Sequence, residues 1–154
     1  MTKKRDLRIE LIRSKMADIE ESVSLVEANL PPSFEDFSEL GLVKDGIYKR
    51  MEFSIESIID ILSIINSDLR LSIPEDEEDV IENLGRNGIL TQNMVDKVRR
   101  MKGFRNIIVH RYGRIDDLLA YKILTENLQD FGEFMESIEQ FLEESSAKTK
   151  KRDS

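Results

Sequence analysis

Cysteine is absent from this chain of 154 residues, which excludes disulfide bonds and thiolate metal sites and fits a reducing cytoplasm. Tryptophan is absent too, aromatic residues make up only 6%, and there are three prolines and seven glycines. Because so few residues break helices, long uninterrupted elements can form. This composition favours an all-α helical bundle over a β-sandwich or a β-barrel.

Long apolar runs are also missing. No stretch approaches the roughly 20 apolar residues of a membrane span. The N-terminal segment carries acids where a signal peptide would have an apolar region. The net charge of −8 argues against a broad nucleic-acid-binding face, although it leaves room for a local basic cleft, including one formed where two subunits meet. We therefore expect a cytoplasmic protein with no membrane association.

What the chain does contain is four long segments in which apolar residues recur at alternating steps of three and four. Each series predicts one face of an amphipathic helix. The predicted helices span about residues 7–30, 44–69, 91–112 and 117–144, with a short helix at about 79–84 that Gly85 and Gly88 end. Thr91 and Asp116 are candidate N-caps. The four long helices and the short one together predict an antiparallel four-helix bundle with a short extra helix.

The predicted domain organisation is simple. Residues 1–144 form a single helical domain, and residues 145–154 form a basic tail without an apolar anchor, for which we expect disorder. An additional half-polar face on the second and fourth long helices suits a homodimer.

The third long helix contains the candidate site. Arg105 interrupts its apolar stripe, and a buried guanidinium needs carboxylates, a ligand or a wet interface. If the helix continues to Tyr112, then Arg105 and Tyr112 share one line of the helix, while Asn106 and His110 share a neighbouring line. His110 is the only histidine in the chain. Spacing alone places these four side chains in one sector.

This set of residues points to phosphoryl-ester chemistry without a metal. Arginine binds phosphate through two hydrogen bonds and stabilises charge on phosphorus, and histidine transfers protons near neutral pH. RNA supplies its own nucleophile, the 2′-OH. Because one histidine cannot easily be both acid and base, the nuclease hypothesis requires a twofold dimer that pairs two copies of His110. The alternative interpretation, that His110 has only a structural role, stays open, since a lone histidine on a helix is more often packed or solvated than catalytic.

An acidic line on the second long helix gives a supporting hypothesis. Glu52, Glu56 and Asp60 recur at four-residue spacing. Such a line is usually a solvated face. The alternative is that Glu56 and Asp60 position or balance the charge of Arg105.

The segment Arg105-Asn106-Ile107-Ile108-Val109-His110-Arg111-Tyr112 resembles the Arg-x4-His-x-Tyr motif of HepT-like toxins, a branch of the HEPN superfamily. Further landmarks of that family match Ile55-Glu56 and Asp60, Ile73-Pro74, Leu84-Gly85 to Leu90, Met101 to Asn106, and Ile115-Asp116. The resemblance covers roughly residues 5 to 142.

The resemblance implies an all-helical, HEPN-like homodimer with the motif helix at the subunit interface. It implies a metal-independent endoribonuclease, with Arg105 and His110 as catalytic residues and Asn106 beside them, and with no cofactor. It further implies the toxin of a type VII-like prokaryotic toxin–antitoxin pair. The partner would be a minimal nucleotidyltransferase (MNT) antitoxin that transfers AMP to Tyr112. Two alternatives remain: a non-catalytic helical dimer that binds the nucleotidyltransferase, and a structural dimer whose polar sector is only a wet interface.

Overall fold

The computed structural model describes residues 6–109 and 114–153 of the chain. Within these residues the chain forms helices and no strands, and seven helices follow one another, which confirms the all-α class. They are α1 (Ile9–Asn29), α2 (Phe34–Ser38), α3 (Leu42–Asp68), α4 (Glu77–Arg86), α5 (Gln92–Ile108), α6 (Asp117–Asn127) and α7 (Gln129–Asp153). None of the helices in the described part of the chain is both long and apolar enough to cross a membrane.

The long helix α3 is the centre of the bundle. It packs against α1, α4 and α5. Its predicted apolar series is buried at Met51, Ile55, Ile58, Leu62 and Ile65. Because α3 meets other helices on several sides, its buried surface is wider than a single stripe. This explains why Ile59 and Ile61 are buried as well.

Polar contacts fix α1 and α3 in an antiparallel arrangement. Arg8 contacts Asp68 through an ion pair of 3.0 Å, and Lys15 lies 3.3 Å from Asp60. The residue numbers of the paired side chains rise along α1 as they fall along α3, so the two helices are antiparallel, as the sequence predicts for consecutive long helices. The carboxylate of Asp68 is fully buried, so this pairing with Arg8 removes the cost of an isolated buried charge.

The helix α4 is held against both of its neighbours by close packing and buried amides. Asn83 donates hydrogen bonds to the Asn66 side chain at 3.0 Å and to the Ser72 carbonyl at 2.8 Å. On the opposite side, a Cβ at Gly85 would lie 3.1 Å from the Val95 side chain, so glycine allows α4 and α5 to approach closely. These contacts fix the position of α4, whose first turn borders the candidate site.

Several helix ends agree with the sequence prediction. Thr91 accepts a hydrogen bond from the backbone N–H of Met94, and Asp116 accepts one from that of Leu119, so both predicted N-caps are confirmed. Gly88 has φ +72° and closes α4. The helix itself runs through Gly85, so only the second of the two predicted glycine stops is used.

Three predicted helix limits are wrong. The third long helix does not reach Tyr112, because α5 ends at Ile108 and Val109 is extended, with φ −83° and ψ 113°. The last predicted helix is two helices, α6 and α7, which meet at Leu128. In addition, α7 continues to Asp153, well beyond residue 144 where the sequence predicted its end.

Candidate active site

Arg105 lies in the last turn of α5, at the end of the helix that precedes the motif histidine. Its backbone carbonyl accepts a hydrogen bond from the N–H of Val109 at 3.0 Å, which is the last bond of the helix. A positive charge is favourable at this position because the carbonyl end of a helix carries partial negative charge. The side chain is only 18% exposed, so its charge requires a partner.

That partner is Glu77, the first residue of α4. Nη1 of Arg105 lies 3.2 Å from Oε1 of Glu77, and Nη2 lies 2.7 Å from Oε2. The two groups therefore meet as a pair of parallel hydrogen bonds, the strongest arrangement between a guanidinium and a carboxylate. The Glu77 side chain is 40% exposed, so the pair sits at the edge of the protein surface.

The pair changes the acidity of both groups. The hydrogen bonds from Arg105 lower the pKa of Glu77 below its usual value, against the opposing effect of partial burial. The hydrogen bond with Glu77 raises the pKa of Arg105, and the charges of Glu56 and Glu52 act in the same direction. Both groups therefore stay ionised across the physiological pH range.

A row of basic residues on α5 faces a row of acidic residues on α4. Arg99 lies 2.6 Å from Glu78, and Lys102 lies 3.7 Å from Glu78. Lys102 also lies 3.9 Å from Glu77, next to Arg105. The two rows run antiparallel, in keeping with the close packing of α4 on α5 at Gly85 and Val95, and Glu77 lies opposite Arg105.

The remaining predicted residues of the motif are only partly described. Asn106 follows Arg105 on α5 and is exposed. His110 and Tyr112 lie outside the described residues. Since α5 ends at Ile108, the helical spacing from which one shared sector was predicted does not extend to positions 110 and 112.

The two predicted supporting carboxylates do not form the ion pair with Arg105. Asp60 is exposed and pairs with Lys15 of α1. Glu56 is exposed and acts on Arg105 through its charge alone. Glu77 belongs to an acidic run at residues 75–79, which suits the N-terminus of a helix, but the sequence holds no local signal for its pairing with Arg105. Glu77 and Arg105 are separated by 28 residues, and only the register of α4 on α5 brings them together.

A second polar cluster holds the chain immediately after the motif. Asp117, the first residue of α6, accepts hydrogen bonds from Lys44 at 2.8 Å and from Tyr48 at 2.5 Å. Burial alone would raise the pKa of Asp117, but these two donors outweigh it and lower that pKa. The segment that contains His110 and Tyr112 therefore lies between two anchored residues, Arg105 before it and Asp117 after it.

An apolar cleft of about 270 Å³ opens beside the same helix. Gly103, Phe104 and Ile107 line it from α5. Its opposite side is lined by Leu124 of α6, by Leu128 at the junction of α6 and α7, and by Phe131 of α7. In the described part of the chain, no group of three or more histidine, cysteine, aspartate or glutamate side chains is arranged to hold a metal ion.

Solved structures share this fold. The chain superposes with a TM-score of 0.75 on a tri-AMPylated Shewanella oneidensis HEPN toxin solved in complex with an MNT antitoxin, at 26% identity over 84% of this chain and 96% of that one. YutE of Bacillus subtilis, a cytosolic protein of unknown function, has the same fold at 15% identity, with a TM-score of 0.74 over 89% of this chain and 92% of that one. Together with the arginine at the end of α5, these likenesses define a HEPN-like helical domain.

The sequence profile of the HepT-like ribonucleases matches residues 19–138, which is most of the chain. This chain belongs to the HepT-like ribonuclease family. The mRNA nuclease HepT of Shewanella oneidensis is 26% identical over 129 residues, which cover 84% of this chain and 96% of that protein. A protein of Archaeoglobus fulgidus is 31% identical over 98 residues, which cover 64% of this chain and 74% of that protein.

Proposed function

We propose that this protein is a metal-independent endoribonuclease that serves as the toxin of a toxin–antitoxin pair. The observation that carries the proposal is the position of Arg105. It lies in the last turn of α5, five residues before the only histidine, and its guanidinium is fixed by Glu77. In a member of the HepT-like ribonuclease family, such an arginine is suited to hold the scissile phosphate of RNA.

The proposed reaction uses the 2′-OH of RNA as the nucleophile. Its oxygen attacks the adjacent phosphorus while a base removes its proton, the bond to the 5′-oxygen breaks, and an acid protonates that oxygen. The products are a 2′,3′-cyclic phosphate and a 5′-OH end. Arg105 stabilises the negative charge that develops on the phosphate oxygens, and His110 transfers protons. In the proposal, Asn106, which follows Arg105 on α5 and is exposed, donates to the phosphate.

A homodimer completes this site in the proposal. The chain has one histidine, whereas the reaction needs a base and an acid. Two copies of α5 that meet about a twofold axis would supply both. The apolar cleft lined by Gly103, Phe104 and Ile107 supports this arrangement, since it offers an apolar surface beside the motif for a second subunit to cover.

The partner in the proposal is a nucleotidyltransferase antitoxin, as it is for the AMPylated Shewanella oneidensis toxin. The oxygen of Tyr112 would attack the α-phosphorus of ATP, form a phosphodiester with AMP and release pyrophosphate. A bulky, anionic AMP two residues from His110 would exclude the RNA phosphate from the site. Intact mass should rise by whole AMP units with the antitoxin and ATP, and Tyr112→Phe should abolish the gain at that residue.

A substrate change tests the cleavage chemistry. An RNA with one 2′-deoxy nucleotide at a mapped cleavage position should resist cleavage there while other positions are still cut. The products of the unmodified RNA should end in cyclic phosphates. Cleavage that persists at the 2′-deoxy position would contradict the mechanism.

The second candidate is a non-catalytic helical dimer that binds the nucleotidyltransferase. The neutralisation of Arg105 by Glu77 favours it, because a paired guanidinium attracts a phosphate less strongly than a free one. This candidate predicts AMP transfer to Tyr112 with no RNA cleavage before or after the transfer. RNA cleavage by the unmodified protein, lost in His110→Ala, would exclude it.

A further inference from the structure

The ion pair between Glu77 and Arg105 raises the question of what a carboxylate does beside an arginine that must bind phosphate. A carboxylate can compete with the phosphate for the guanidinium, or it can hold the guanidinium in place. The two roles make opposite predictions for catalysis. The geometry of the pair and the way Glu77 is supported distinguish them.

The hydrogen bonds to Glu77 use only part of the guanidinium. One N–H of Nη1 and one N–H of Nη2 point at the two carboxylate oxygens. A guanidinium has five N–H donors, so three donors are not used by Glu77. Those three include the N–H of Nε, and side-on binding through Nε and one Nη is a second way in which arginine binds an oxyanion with two parallel hydrogen bonds. The pairing with Glu77 therefore fixes the plane of the guanidinium without consuming its capacity for phosphate.

Glu77 is itself held at a defined place. It is the first residue of α4, where Asp76 accepts a hydrogen bond from the N–H of Asp79 and caps the helix. The N-terminus of a helix also stabilises a negative side chain in its first turn. Behind this turn, the buried amides of Asn83 and Asn66 fix α4 on α3.

The charges around the pair favour a stable clamp over a displaceable competitor. Lys102 lies 3.9 Å from Glu77, and its positive charge stabilises the ionised form of that carboxylate. Glu56 and Glu52 of α3 lie close enough to act electrostatically on Arg105. Arg105 is the less exposed member of the pair, so a large swing of its side chain towards a ligand would need repacking.

We propose that Glu77 is the positioning residue of this ribonuclease: it holds Arg105 by the Nη1 and Nη2 groups so that the remaining N–H groups face the scissile phosphate of RNA. This inference rests on the function proposed above. Glu77 acts through Arg105 and does not touch the substrate. Its contribution is to orientation, which matters most in the transition state, when the charge on the phosphate oxygens is greatest.

Three substitutions at one position test the proposal in steady-state RNA cleavage. Glu77→Gln keeps the shape and one acceptor oxygen but loses the charge, and Glu77→Ala removes the group. In both, kcat should fall by about 10- to 100-fold with little change in KM, the size expected for a misplaced catalytic group. Glu77→Asp keeps the charge and should restore part of the loss.

Glu78→Gln is the matched control. It makes the same change of charge in the same helical turn, but Glu78 pairs with Arg99 and Lys102 and not with Arg105. It should cleave at the wild-type rate. A lower KM with equal or higher kcat in Glu77→Gln would overturn the proposal, because it would make Glu77 a competitor of phosphate.

A second measurement separates this inference from the proposed function. NMR of the Arg105 guanidinium reports how fast its Cζ–N bonds rotate. Rotation should be slow in the wild type and in Glu78→Gln, and faster in Glu77→Gln. Equal rotation in the wild type and Glu77→Gln would overturn the clamp whether or not the protein cleaves RNA. Absence of cleavage in the wild type, with the difference in rotation present, would reject the nuclease function and leave the clamp in place.

Discussion

The hydroxyl of Tyr48 donates a hydrogen bond of 2.5 Å to the carboxylate of Asp117. The two residues are 69 positions apart, in α3 and α6, and Lys44 donates to the other oxygen of the same carboxylate. Tyr48 is buried, and both its burial and the charge of Asp117 raise its pKa, so the hydroxyl stays protonated and remains a donor. This contact fixes the first residue of α6 close behind the motif segment.

Tyr48→Phe should lower the free energy of unfolding by about 1.5–3 kcal/mol, because the lost hydrogen bond is made to a charged group in a partly buried place. Tyr121→Phe is the matched control. Its hydroxyl donates to the neutral carbonyl of Pro31 at 2.7 Å, so its loss should cost only about 1 kcal/mol. Urea unfolding of both variants measures the difference. An equal or smaller loss in Tyr48→Phe would contradict the anchoring role of the contact with Asp117.

Arg70 offers a stabilising substitution outside the candidate site. It lies two residues beyond the end of α3 with φ +53°, a left-handed conformation in which the Cβ atom is strained. The backbone N–H of Arg70 donates to the backbone carbonyl of Ser67, and the backbone N–H of Leu71 donates to the backbone carbonyl of Asn66. This pair of hydrogen bonds is the pattern that closes many helices, usually with glycine at the left-handed position. Arg70→Gly should therefore raise the free energy of unfolding by about 1 kcal/mol.

The control at this position is Arg70→Ala, which keeps the Cβ atom and should not stabilise the protein. Thermal or urea unfolding measures both variants. If alanine and glycine stabilise equally, the gain comes from removing the exposed arginine side chain, and the explanation from backbone strain is wrong.

The stability of the protein should depend on pH through Glu77. Its pKa is lowered in the folded protein, chiefly by the hydrogen bonds from Arg105. A carboxylate with a lowered folded pKa contributes its stability in full above its unfolded pKa. It loses that stability as the pH falls through the folded value. The difference in urea midpoint between wild type and Glu77→Gln should therefore be largest near pH 7 and shrink in the acid range below the usual pKa of glutamate.

Arg105→Gln provides the control for this pH dependence. It removes the main cause of the shift, so in that background Glu77→Gln should have a much smaller effect at neutral pH. If Glu77→Gln changes the urea midpoint by the same amount with and without Arg105, another group is responsible for the stability.

Much of the fold could be predicted from local signals. The apolar series of α1 and α3, the caps at Thr91 and Asp116 and the closing glycine at position 88 depend on residues near one another in the sequence. The junction at Leu128 could not be predicted in this way. Its backbone is still close to helical, with φ −59° and ψ −30°, so the apolar spacing continues through it although the hydrogen-bond ladder is interrupted.

The end of α5 had a signal that the apolar periodicity hid. Ile107, Ile108 and Val109 are three consecutive β-branched residues, which favour extended backbone over helix, and the chain turns extended at Val109. The sequence marks Arg105 as a charge that needs a partner, and its pairing with Glu77 confirms this. Which of the many acidic residues would serve depends on how α4 lies on α5, and that relationship has no local signal in the sequence.

Single-turnover cleavage of a labelled RNA in EDTA tests the proposed nuclease function with three proteins: the wild type, Arg105→Ala and His110→Ala. The wild type should cleave without added metal and leave cyclic-phosphate ends. Each variant should be slower by about 100-fold or more, because each loses either the phosphate-binding charge or the proton carrier. Wild-type rates in both variants, or no cleavage by the unmodified wild type, would contradict the proposed nuclease function.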